Sequence, residues 1–156
     1  MARKSNNTAL NLLVGNQNSG LLDNQLTKSV IFAAGTTGKL ATGTFKIATV
    51  TGVVALSCFA INTGAGALTG AGATLEVGCT DNTASLIALT TATTIDPNEV
   101  WYNNTPVLNP ETSVITKKIV TKDVNYLIKT ADVTGGTLTF YILWSPISPN
   151  GNVVIV

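Results

Sequence analysis

The chain has 156 residues, of which 45% are hydrophobic and only 11% charged, with a net charge of +1 and no histidine. Its length suits one domain plus a tail, enough to bury roughly 70% of the unfolded surface without disulfide or metal staples. Without histidine there is no imidazole base, no histidine-held metal, and no Ser-His-Asp or Cys-His nucleophile.

An average soluble domain carries about 25% charged residues; here Thr, Asn, Ser and Gly stand in their place. Hydroxyls and amides can be re-paired inside an interface, whereas a lone charge cannot, so such a surface desolvates at low cost. That composition suggests a surface covered by other subunits, the alternative being a polar, uncharged β-domain with a free surface. The nine Lys and Arg are spread from Arg3 to Lys129, without the array that neutralises phosphates, so no nucleic-acid partner is expected. Lys117, Lys118 and Lys122 form the one cluster and read as a solvated strand face or turn.

Residues 1–30 differ from the rest, being rich in Asn, Gln, Ser and Gly with scattered leucines. They read as an extended N-terminal arm carrying two apolar clasps, Leu12-Leu13-Val14 and Leu21-Leu22. Alone the arm buries too little to offset its ordering entropy, so Leu12, Leu13, Leu21 and Leu22 are candidate partner contacts. A weak helix over residues 21–28 is compatible with the pattern.

Residues 31–156 read as a β-sandwich domain. Residues 44–50 alternate, with Phe45, Ile47 and Thr49 on one face and Thr44, Lys46 and Ala48 on the other. Residues 53–61 are apolar on both faces, as in a strand covered on both sides. The glycine-rich stretch 63–72 lacks the Lys-Ser/Thr ending of a phosphate loop and no helix pattern follows it; it reads as a flexible hairpin loop. Strands follow at 74–79, 84–89 continuing through 94, and 99–102, with an Asp96-Pro97-Asn98 turn between the last two. After a two-proline loop at 103–111 come strands 114–121, 124–130, 138–145 and 153–156.

Eight or nine short strands at near-regular spacing, with turns between them, define an all-β sandwich or barrel. A jelly-roll-like sandwich of about eight strands in two facing sheets suits the length. In residues 138–145, Leu138, Phe140, Ile142 and Trp144 form the core face. Tyr141 and Leu143 lie on the other, an amphipathic and an apolar side chain suited to meeting a partner. Trp101 and Tyr102, beside Asn103-Asn104, read as the more exposed aromatic pair, either packing a loop or stacking on a ligand.

The acids offer little chemistry. Asp96 and Glu99 are the one close pair, flanking a proline turn, and Asp96 reads as a turn cap rather than half of a carboxylate pair. No Asp-x-Asp-x-Asp calcium loop occurs. Cys58 and Cys79 fit no metal or redox spacing and read as buried free thiols. No apolar run approaches the roughly 18 residues of a membrane helix, and none of signal-peptide length follows the first residues. Synthesis in a cytoplasm is therefore expected, with no membrane partner, cofactor, metal or small-molecule substrate, and no enzymatic activity.

Residues 70–78, 90–101 and 133–148, including Ile95-Asp96-Pro97-Asn98-Glu99-Val100-Trp101 and Thr137-Leu138-Thr139-Phe140-Tyr141-Ile142-Leu143-Trp144-Ser145-Pro146, resemble small virion proteins of tailed bacteriophages. The relatives in kind are head decoration, or cement, proteins with a jelly-roll fold. The likeness runs from about Lys39 to Val156 and does not cover the arm. It implies a homotrimer on the outer surface of a virion head of the HK97 type, made in the host cytoplasm, with the major capsid protein as partner. The alternative is a tail, fibre or baseplate component or a receptor-binding β-module, which would share the fold and the low charge.

Overall fold

The computed structural model describes residues 24–33 and 41–156. Ten strands make up almost all of its regular structure: β1 (Asn24–Phe32), β2 (Gly43–Thr51), β3 (Val54–Asn62), β4 (Thr74–Cys79), β5 (Asn82–Thr91), β6 (Val100–Trp101), β7 (Lys118–Val120), β8 (Val124–Lys129), β9 (Gly136–Pro146) and β10 (Asn152–Ile155). They form two antiparallel sheets. One runs β1-β9-β3-β6, with β7 also pairing β3; the other runs β10-β2-β8-β4-β5.

The connectivity is that of a jelly roll. Its innermost pair is the β4–β5 hairpin. Around it sit β3 with β6 and β7, then β2 with β8, then β1 with β9. Successive pairs alternate between the sheets, so one long nested hairpin wraps the core and leaves two layers. In place of about eight strands there are ten, because the sixth position is broken into β6 and β7 and because β10 extends the second sheet beyond β2.

The core lies between the layers. From β9, Leu138, Phe140, Ile142 and Trp144 point inward as expected, each at most 8% exposed. They face Leu75, Val77, Tyr126 and Ile128 of the other sheet. Tyr126 is the hub, stacked on Phe140 at 5.4 Å between centroids, tilted over Phe45 at 5.1 Å and edge-on to Phe32 at 6.3 Å. Burial raises the Tyr126 phenol pKa. Each large apolar side chain fully buried there contributes about 1.5–3 kcal/mol.

Three local readings are corrected. The weak helix over residues 21–28 gives way to strand from Asn24 onward: residues 24–30, grouped with the arm by composition, belong to β1, which pairs with β9 along its whole length. Val30 and Phe32 are core residues. In β2, a bulge between Lys46 and Ala48 adds one residue, so alternation changes phase. Ile47 and Ala48 are both fully buried, and Thr49 turns outward. The glycine-rich stretch after β3 is not a hairpin, since it carries the chain from one sheet to the other.

That crossover is pinned. Leu68 plugs the core at 1% exposure. Asn62, wholly buried, donates from Nδ2 to the carbonyls of Ile95 (2.9 Å) and Gly66 (3.0 Å), and its Oδ1 accepts from the Gly64 amide (2.9 Å). Gly136 lets Leu68 in: a Cβ there, at φ 111°, would lie 2.4 Å from Leu68 Cδ2.

Candidate functional site

Register fixes which side chains leave the first sheet on its outer side. On β1 these are Gln25, Thr27, Ser29 and Ile31, paired with Leu143, Tyr141, Thr139 and Thr137 of β9. On β3 they are Ala55, Ser57, Phe59 and Ile61, paired with Ser145, Leu143, Tyr141 and Thr139. Val100 of β6 and Ile119 of β7 extend the face beyond β3. No outward position on these strands carries a charge.

The face has a layered texture. At its centre Phe59 and Tyr141, directly opposed across β3 and β9, stack at 5.0 Å with planes 6° apart. Next to them runs a hydroxyl chain, Ser29 Oγ to Thr139 Oγ1 at 2.8 Å and on to Thr63 Oγ1 at 3.1 Å. These hydroxyls satisfy one another, which reduces their hold on water and the cost of covering them. Ile31 and Ile119 are 51% and 67% exposed at opposite margins. Aromatic enrichment with charge depletion is the compositional mark of an interface centre.

The charges of the described residues sit elsewhere. Lys46 Nζ pairs with Asp123 Oδ2 at 2.6 Å, and Lys129 Nζ with the buried Glu76 Oε1 at 2.6 Å, both on the second sheet or its margin. The Lys46 ammonium and the Val50 amide, which donates to Asp123 Oδ1 at 3.0 Å, hold the Asp123 carboxyl below the usual carboxylate range. Lys28 belongs to the first sheet but points inward, opposite Phe140. It spans the sandwich edge, donating to the carbonyls of Lys46 (2.8 Å) and Val156 (2.7 Å), and burial lowers its pKa.

The candidate residues fare differently. Tyr141 and Leu143 stand together on the outer face. Trp101 does not join them: it is fully buried, and its indole Nε1 donates to Thr90 Oγ1 at 2.7 Å. The reading of Trp101 as exposed is therefore overturned, because β6 pairs it with Ala60 on the inner side of β3. Its neighbour Tyr102 is half-buried and lines an open groove of about 380 Å³. That groove lies where the sixth jelly-roll strand is interrupted, bounded by Leu86 and Ala88 of β5 and by Val114 and Lys118. Leu12, Leu13, Leu21 and Leu22 lie outside the described residues. Sequence reasoning missed Phe59, Ile61 and the β1 hydroxyls: residues 53–61 are apolar on both faces, and Lys28 interrupts the apolar row of Leu26, Val30 and Phe32.

Three further titratable groups bear on the expectations. Glu99 Oε2 accepts from the Asp96 amide at 3.0 Å, so Glu99, rather than Asp96, caps the proline turn with its side chain. Cys58 and Cys79 are free; burial pushes the Cys58 thiol up to about 12, and burial also raises Cys79. Among the described residues no cluster of three or more metal-ligating side chains occurs, and no helix is long and apolar enough to cross a membrane.

No protein-family profile matches the chain, and no curated protein matches it. Among solved structures, a chain of the acidic stable capsid structure of Helicobacter pylori bacteriophage KHP30 aligns over 86% of this chain and 97% of that chain, at 12% identity and a TM-score of 0.41. A likeness that distant carries no argument.

Proposed function

We propose that this chain is a virion structural protein, a decoration protein that seats as a trimer on the outside of an HK97-type phage head and stabilises the shell. The observation that carries the reading of a multi-copy structural protein is the charge-free outer face of the β1-β9-β3 sheet, with its stacked Phe59–Tyr141 pair. A protein surface of this composition and extent is suited to being covered by protein. The sequence resemblance of residues 70–78, 90–101 and 133–148 to small phage virion proteins supports the choice of partner, the major capsid protein.

The mechanism is mass action. A ligand that binds the assembled shell and not its dissociated subunits stabilises it by about 2.7 kcal/mol per site at a hundredfold excess over Kd. A trimer adds avidity, since its second and third contacts are intramolecular, and its symmetry matches a three-fold or quasi-three-fold position. The arm, through Leu12, Leu13, Leu21 and Leu22, reaches a neighbour and adds a strand to an exposed edge.

The test is co-sedimentation with undecorated heads, followed by imaging. The full chain is expected to saturate the shell at hundreds of copies and to raise its melting temperature. Deleting residues 1–22 spares β1 and is expected to weaken binding at least tenfold while leaving the thermal unfolding of the sandwich unchanged. Equal binding by the truncated chain would refute the arm's role. Absence of binding to heads, together with a handful of copies per virion, would replace the decoration reading by a tail or baseplate one.

A further inference from the structure

We infer that the outer face of the β1-β9-β3 sheet is where copies of this chain pack on one another, leaving shell contact to other parts of the molecule. The inference rests on the reading above, which makes copies of the chain neighbours, and assigns them a surface. Charge decides between a sibling and a foreign partner. A hetero-interface gains specificity and encounter rate from opposed charges, and a face built for one has reason to carry them. Around a symmetry axis the same residue arrives from every copy, so any charge near the axis meets its own like. A face destined for that position must be neutral residue by residue, not merely in sum. The outward positions of β1, β9 and β3 meet that demand, while the charges described above lie on the inner side, the second sheet or the loops.

Size and chemistry bear on the choice. Three strands of about nine residues give a footprint of roughly 14 Å by 30 Å, or about 430 Å² before side-chain relief and the β6 and β7 margin are counted. One partner in a standard interface contributes about 800 Å², so the face supplies about half of one side. The hydroxyl chain Ser29–Thr139–Thr63 is satisfied within one copy, so it enters a symmetric interface without requiring a partner group. The Phe59–Tyr141 stack supplies the apolar centre.

The experiment is sedimentation equilibrium on the full chain and on three variants: Thr27→Lys on β1 and Leu143→Lys on β9, both on the face, and Val154→Lys on β10, which points away from the core on the outer side of the second sheet. Circular dichroism and thermal unfolding verify that each keeps its fold. Wild type and Val154→Lys are expected to sediment as a multiple of the 16.1 kDa chain. Thr27→Lys and Leu143→Lys are expected to raise the dissociation constant by roughly a hundredfold or more, as copies of one lysine are forced together. A wild-type monomer at high micromolar concentration overturns the inference, as does an oligomer indifferent to both face lysines while folded. An intact oligomer that dissociates on lysine insertion yet ignores heads sustains this inference and refutes the decoration reading. A dimer with the same lysine response sustains the face and refutes the trimer.

Discussion

Trp101 makes the sharpest test of how the two layers are joined. It stands on β6 in the first sheet, and its indole donates at 2.7 Å to Thr90 Oγ1 on β5 in the second. Its ring also meets Phe140 edge-on at 6.5 Å. Trp101→Phe removes the N–H and part of the ring. The lost hydrogen bond costs about 1 kcal/mol, the Thr90 hydroxyl keeping Ala88 O as acceptor at 2.9 Å, and the smaller ring adds about 1–2 kcal/mol. The expected loss is thus about 2–3 kcal/mol, rising to about 3–5 kcal/mol for Trp101→Ala. Thr90→Val leaves the buried indole N–H unpaired and should cost about 1–3 kcal/mol. In the double mutant the shared bond is counted once, so a cycle should return a coupling near 1 kcal/mol. Urea unfolding followed by fluorescence measures all four proteins, with Trp144 still reporting where Trp101 is gone. Wild type should show the short-wavelength emission of indoles shielded from water. A Trp101→Phe cost below about 0.5 kcal/mol, or zero coupling, would refute the bridge between the layers.

Three further outcomes are expected. Gly78→Ala places a Cβ 2.2 Å from Asn82 O on the neighbouring strand and should destabilise by about 2 kcal/mol or more, as backbone must shift; a melting temperature within a degree of wild type would contradict that geometry. Asp123 has a depressed pKa in the fold, so its stabilisation is complete above its unfolded value of 3.8 and is lost as pH falls through the folded one; Asp123→Asn should flatten the fall of unfolding free energy below about pH 4, and an unchanged acid slope would count against the Lys46 and Val50 contacts as its cause. Thr130 sits at φ 71° in a three-residue turn where the Ala131 amide donates to Lys129 O at 2.8 Å, its hydroxyl 3.3 Å from Thr74 Oγ1; Thr130→Gly removes the Cβ penalty at positive φ together with that exposed contact and should leave stability within about 0.5 kcal/mol of wild type, and a loss above about 1 kcal/mol in urea unfolding would show the turn is not strained.

The sandwich was legible because its strands are short, β-branched and separated by recognisable turns, and because β9 alternates without fault from Leu138 to Trp144. Where alternation breaks, the reading fails. Lys28 occupies an inward position of β1 among Leu26, Val30 and Phe32, and a lysine in the core row hides a strand; only its reach to two backbone carbonyls makes it tolerable there. The β2 bulge shifts the pattern by one residue, which no propensity reveals. Trp101 was misplaced because Asn103 and Asn104 make its surroundings look polar, although its strand partner Ala60 sets its direction. The outer face was half visible: Tyr141 and Leu143 stood out on the second side of β9, but their neighbours on β1 and β3 come together only through pairing across the chain.

The nesting of the pairs also orders events during synthesis. The β4–β5 hairpin closes over a two-residue connection and can form as soon as it leaves the ribosome. The first described strand must wait for the last long one: roughly a hundred residues separate β1 from β9, about 5–20 s of translation. Throughout that interval Val30 and Phe32 have no core to enter, and a strand without its mate is free to pair with another nascent chain. Crowded polysomes would then favour exchange of this first strand between molecules, and sparser ribosome loading at an unchanged elongation rate should raise the yield of correctly closed protein.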